Sequence, residues 1–172
     1  MDIYISLLIG ILSGVVSGLI SGYAVTIYFR NIDRIRLIVQ YAQYTLQHAE
    51  DISDEAYACS KGKELENLNY LLRKSSHSHR NFDGGIPDQE LQKAIASCNE
   101  GIYHISNAAE EPNSQSQLFF AHTEMPNRIL DLHNALVNFE VAEERKTEKH
   151  IRVFRNIALV VVVLTVLGLI IA

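Results

Sequence analysis

IYISLLIGILSGVVSGLISGYAVTIYF, residues 3–29, contains no charged side chain. As a helix rising 1.5 Å per residue it would reach roughly 40 Å, more than the ~30 Å hydrocarbon core of a bilayer. A second uncharged stretch, 156–172, lies at the other end of the sequence. Its apolar part starts at Ile157 and would reach about 24 Å, and Val153 and Phe154 extend it if Arg155 turns its head group toward the lipid surface. All 15 Lys and Arg lie between Arg30 and Arg155, and of the 20 acidic residues only Asp2 lies outside that span. This segregation predicts three parts: a transmembrane helix over 3–29, a helical domain over 30–155 and a transmembrane helix over 156–172. The competing reading of either apolar stretch is a buried core helix. A cleaved signal peptide does not fit the first stretch, because no cation precedes it and it is too long.

Cations beside a span set its orientation. Arg30, Arg34 and Arg36 follow the first stretch, and Arg145, Lys146, Lys149, Arg152 and Arg155 precede the second. These eight cations predict a cytoplasmic middle domain with both termini outside, and hence a two-span protein of the inner (plasma) membrane. The two cysteines, Cys59 and Cys98, have no CxxC spacing. Cys98 falls on an apolar helical face, where a buried free thiol is the common case; a disulfide between the two is the alternative, disfavoured in a reducing cytoplasm.

Between the apolar ends, helical periodicity predominates. Ile35, Ile38, Ala42, Leu46, Ala49, Ile52, Ala56 and Cys59 recur every three or four residues, with no Pro or Gly between Phe29 and Lys61. Leu65, Leu68, Leu71 and Leu72 mark a shorter second helix. The Gly84-Gly85-Ile86-Pro87 segment predicts a turn, and Asp88 a cap for a third helix with Leu91, Ile95, Cys98, Ile102, Ile105 and Ala109 on one face. Leu118–Met125 is ambiguous. A last helix is predicted from Pro126 or Asn127, with Ile129, Leu130, Leu132, Leu136, Val137 and Phe139 as its apolar set. Nothing reads as a strand. The predicted fold is all-α: two transmembrane helices extending into a cytoplasmic four-helix bundle-like domain.

The most regular motif is in the first stretch. Gly10, Gly14, Gly18 and Gly22 recur every four residues, in phase with Ser6, and Ser13, Ser17 and Ser21 form a parallel row. Rows of small residues let helix backbones approach closely in lipid, as in a glycine zipper. The expectation is packing on the chain's own second span, on a partner helix, or between copies in an oligomer. A polar cluster, Arg73, Lys74, Ser75, Ser76, His77, Ser78, His79 and Arg80, offers donors for a phosphate or an acidic partner; a solvated loop is the competing reading. From Leu37 to Ala142 there are 7 cations against 15 anions, a net of −8, which argues against general nucleic-acid binding. A local contact with a cytoplasmic protein or ribonucleoprotein stays open.

His77 and His79 lack the further ligands a metal site needs. Arg128 and His133 share the R-x4-H spacing of the helical HEPN ribonucleases, but the polar residue usual beside that Arg is missing. No phosphate loop, nucleophile elbow or carboxylate pair is present. No cofactor, no metal and no enzymatic activity are expected.

The layout of span, charged helical domain and span resembles the two-transmembrane-helix effectors of bacterial anti-phage systems, including those of retrons. It is a likeness of architecture with no shared residue motif. It implies a toxin-like effector that perturbs the lipid bilayer when a partner releases its helical domain. The alternative is a non-catalytic membrane adaptor or sensor whose helical domain tethers a cytoplasmic partner.

Overall fold

The computed structural model describes residues 2–79, 85–111 and 113–171; within its helices, the side chains of 2–10, 12–13, 16–17, 20, 24, 27, 76–79, 154, 158 and 161–171 are not described. Four helices follow one another: α1 (Asp2–Ser60), α2 (Glu66–His79), α3 (Gln89–Glu110) and α4 (Ser114–Ile171). There is no strand among the described residues. The chain divides into two compact units, Met1–Ile38 and Val39–Ala172. The first unit is the leading part of α1. The second, a helical bundle, holds the rest of α1 and the other three helices.

In the second unit, α1 stops at a glycine. Gly62 has φ 103°, where a Cβ is disfavoured. Its N–H donates to Cys59 O at 3.0 Å and the Lys63 N–H to Ala58 O at 3.2 Å, so two of the orphan carbonyls of the last turn are satisfied. Asp88 opens α3 as predicted: it accepts from the Leu91 N–H at 2.8 Å through its carboxylate.

The connection from α3 to α4 is short, and the two run antiparallel, with Ser97 against Arg128 and the end of α3 beside the start of α4. Their core faces carry Leu91, Ile95, Cys98, Ile102 and Ile105 on α3 and Leu118, Met125, Leu132, Leu136 and Phe139 on α4, all buried. Ala42, Ala49, Ile52, Ala56 and Cys59 of α1 and Leu68 of α2 complete the core.

The structure departs from the predicted elements in three places. Helix α4 begins at Ser114, not at Pro126 or Asn127, and holds Pro126 inside it. An interior proline costs about 3 kcal/mol. Leu118 and Met125 are fully buried on the same face as Leu132, and burying two such side chains is worth about 3–6 kcal/mol, which offsets that cost. Helix α2 runs on through His79, so the polar cluster begins on a helix and not in a loop. Leu130 and Val137, expected in the core, are 56% and 44% exposed, because they lie on the side of α4 opposite Leu132, Leu136 and Phe139.

The expectation of two transmembrane spans and an inner-membrane location is corrected. Among the described residues, no helix is long and apolar enough to cross a membrane. In α4 the described apolar positions Ile151, Val153, Ile157, Leu159 and Val160 are interrupted by Arg152 and Arg155. In α1, Tyr23, Thr26 and Tyr28 precede Arg30. Much of the two apolar runs on which the expectation was founded, 3–10 and 161–171 above all, lies outside the described side chains.

Candidate functional site

Two polar joints tie the helices of the second unit together. The first ties α3 to α4. Arg128 donates to Ser97 O at 2.7 Å and to Glu100 Oε2 at 2.9 Å, and pairs with Glu124 at 3.4 Å. Hydrogen bonding to Arg128 holds the Glu100 carboxyl below its ordinary range, and the same bond raises the guanidinium. Beside it the Cys98 thiol donates to Arg128 O at 3.2 Å. Burial pushes that thiol up to about 11, so it is a poor nucleophile. Gly101 faces α4 with no room for a side chain: a Cβ there would overlap the Met125 sulfur and meet Arg128 Cδ at 3.0 Å.

The second joint ties α1 to α4. His122 Nδ1 is 3.0 Å from Ser53 Oγ and 3.1 Å from Ser53 O. When Nδ1 carries the proton it donates to the carbonyl; when it does not, it accepts from the hydroxyl. Ser53 is buried, at 3% exposure, so the pair is a helix-to-helix link with no access for a substrate.

Beside the second joint lies a cluster of exposed aromatics. The Tyr57 ring is 5.0 Å from His122. Lys61 Nζ lies 5.3 Å from the Tyr57 ring and 5.6 Å from the Phe119 ring, within reach of a cation–π attraction. Phe119 and Phe120 meet edge to face at 6.1 Å. Phe120 is 67% exposed and also borders an open groove of about 400 Å³, lined with His104, Asn107, Glu111, Gln117 and Glu124. The surface thus offers aromatic anchors, one cation, two carboxylates and side-chain amides. It suits a chain segment lying across it better than a small molecule, which needs an enclosing cavity.

The residues singled out in the sequence fall elsewhere. Gly14, Gly18, Ser21 and Gly22 are exposed on α1 in the first unit, and a Cβ at any of the three glycines meets nothing within 4 Å. The side chains of Ser6, Ser13 and Ser17, and the surroundings of Gly10, lie outside the described ones. Arg73 and Lys74 are exposed on α2; the side chains of His77 and His79, and all of Arg80, lie outside the described residues. The cations expected to set a membrane orientation, Arg30, Arg34, Arg36, Arg145, Lys146, Lys149, Arg152 and Arg155, are all exposed, with Lys146 paired to Glu143. Of the R-x4-H pair, Arg128 is tied to α3 while His133 is exposed. No cluster able to hold a metal ion occurs among the described residues.

Sequence reasoning missed the aromatic cluster. Its only signal was the ambiguous Leu118–Met125 segment, where Phe119 and Phe120 add apolar residues beyond those one buried face can use. No family model, no curated protein and no solved structure matches this chain.

Proposed function

We propose that this chain is a non-catalytic helical interaction protein, and that the aromatic end of its second unit binds a segment of a protein partner. The observation that carries this reading is the meeting of exposed Tyr57 and Phe119 at Lys61, with exposed Phe120 against Phe119 and bordering an open polar groove. Contiguous exposed apolar surface with a polar rim is characteristic of binding sites, and aromatic residues supply most of the energy in such contacts. The titratable side chains that could serve chemistry nearby are engaged in holding helices together, His122 on Ser53 and Arg128 on Ser97 and Glu100. The excess of acid in this part of the chain favours a protein over a nucleic acid as the partner. The likeness of layout to partner-controlled effectors contributes one idea, that a partner governs the helical domain; the spans of that layout form no part of the proposal.

The test places a photo-crosslinking amino acid at Phe120 in the full chain, with the same replacement at exposed Tyr70 on α2 as control. One discrete cross-linked protein is expected from Phe120 and not from Tyr70, and Tyr57→Ser with Phe119→Ser should remove it. Tyr57 and Phe119 are 44% and 41% exposed, so each substitution should cost about 1 kcal/mol of stability, and the chain should stay folded. Equal cross-linking from both sites, or a product indifferent to the serine changes, would refute the assignment.

A further inference from the structure

Helix α4 carries two apolar faces. One is buried in its own bundle. On the opposite side Leu130, Val137 and Val141 are 56%, 44% and 39% exposed, with exposed Asn134 between them. The spacings 130, 134, 137, 141 alternate four, three and four, the seam along which one helix packs on another with interlocking side chains. Asn134 also borders an open groove shared with Glu90, Lys93 and Ser97 of α3, so one edge of this face lies beside the bundle and the other carries Leu130, Val137 and Val141.

We propose that this face is the contact between two copies of the chain, with the two α4 helices antiparallel. The orientation follows from the charges. In a parallel pair Glu144, which continues the seam, would face its own copy, and like charges directly opposed are destabilising. Turned antiparallel about a centre between Asn134 and Val137, Leu130 meets Val141 of the second copy and Glu144 meets Asn127. In the same register Arg145 comes alongside Glu124, and Glu140 alongside His133. Neither Glu140 nor Arg145 has an ion-pair partner among the described residues. Because the contact is two-fold, each pairing occurs twice, as the symmetry of homodimers requires. Asn134 costs stability at such a seam and in return fixes register. In this register Phe120 meets Ile151 of the second copy, and Glu124 also borders the groove at the aromatic end, so the two surfaces adjoin; a cross-link between positions 130 and 141 reads the α4 contact alone.

The experiment uses two full-length copies with tags of different size, one with Leu130→Cys and the other with Val141→Cys. They are expressed together, oxidised and run on a non-reducing gel. The native Cys59 and Cys98 are buried, and the unsubstituted chain measures their background. The mixed dimer band is expected at least tenfold stronger than the band formed by Leu130→Cys with itself. Adding Val137→Asp to both copies should abolish the mixed band, while circular dichroism shows the helical content unchanged. Absence of a mixed band overturns the proposal. So does a dominant 130-to-130 band, which would mean a parallel pair, or a mixed band that survives Val137→Asp.

Discussion

At Gly101 a single hydrogen atom sets how closely α3 and α4 pack. The helices are near enough there that a methyl group would enter the space of the Met125 sulfur, and Met125 is fully buried, so its side chain must repack. Gly101→Ala should gain about 1 kcal/mol of helix propensity and lose about 1–3 kcal/mol to overpacking. The expected net is a loss of about 1 kcal/mol, read as a lower urea midpoint with an unchanged slope. Gly85→Ala is the control: its Cβ would meet nothing within 4 Å and its φ is not positive. A raised midpoint for Gly101→Ala would mean that the two helices can part without cost. Sequence alone placed Cys98, Ile102 and Ile105 on the buried face of α3, because apolar period reads directly as a face. It could not single out Gly101, since a glycine inside a helical stripe looks the same whether it is crowded or merely tolerated. Arg128 was legible only as half of a weak catalytic spacing. Its hold on Ser97 and Glu100 depends on the pairing of α3 with α4, which periodicity does not encode.

Between elements, the least expected core residue is His48 on α1. It is 3% exposed, stacks edge-on against Tyr44 at 4.1 Å, and neither ring nitrogen has a hydrogen-bond partner. Burial lowers its pKa first and the Lys74 charge of α2 lowers it further, against a smaller opposing pull from Asp51 on α1. The folded pKa therefore lies below the ordinary value of 6.5. The unfolded chain binds the proton more readily, so stability from this site is complete above about pH 6.5 and is lost as pH falls below it. The slope cannot exceed about 1.4 kcal/mol per pH unit for one proton. In urea titrations between pH 5 and 7.5 the parent should weaken toward pH 5 more steeply than His48→Phe, which keeps the aromatic contact and cannot take up a proton. Parallel pH profiles would show that His48 finds a partner on protonation. The α1 stripe read from apolar residues was sound at Ala42, Ala49, Ile52, Ala56 and Cys59, and blind to Thr45, His48 and Ser53, which share that buried face. Polar residues in a core are settled by local bonds, such as Thr45 Oγ1 donating to Tyr41 O at 3.0 Å or Ser53 meeting His122. Those partners are invisible to a hydrophobic pattern. The same limit hid the start of α4: a proline was read as a boundary, whereas tertiary burial of Leu118 and Met125 carried the helix through it.

For the whole molecule, the all-helical class was legible because nearly every segment between breakers has a 3.6-residue period and none alternates. The reading of the ends was not secured in the same way, since lack of charge is a property of composition and says nothing of what a helix face touches. The glycine row in the first unit brings this to a test. The sequence predicts that Gly14, Gly18 and Gly22 pack against another helix, whereas in the structure a Cβ on each would stand in open space. The two situations give opposite signs for the same substitution. Where the row is open, replacing glycine by alanine removes backbone freedom and strengthens the helix by about 1 kcal/mol per site. Where a second backbone lies against the row, each methyl forces the helices apart and the interface weakens. With Gly14→Ala, Gly18→Ala and Gly22→Ala combined, the structure predicts slower hydrogen exchange for the amides of residues 14–26, by roughly fivefold for each kcal/mol gained in opening free energy. Faster exchange, or dissociation of an oligomer on the same substitutions, would show instead that another molecule's helix occupies the row.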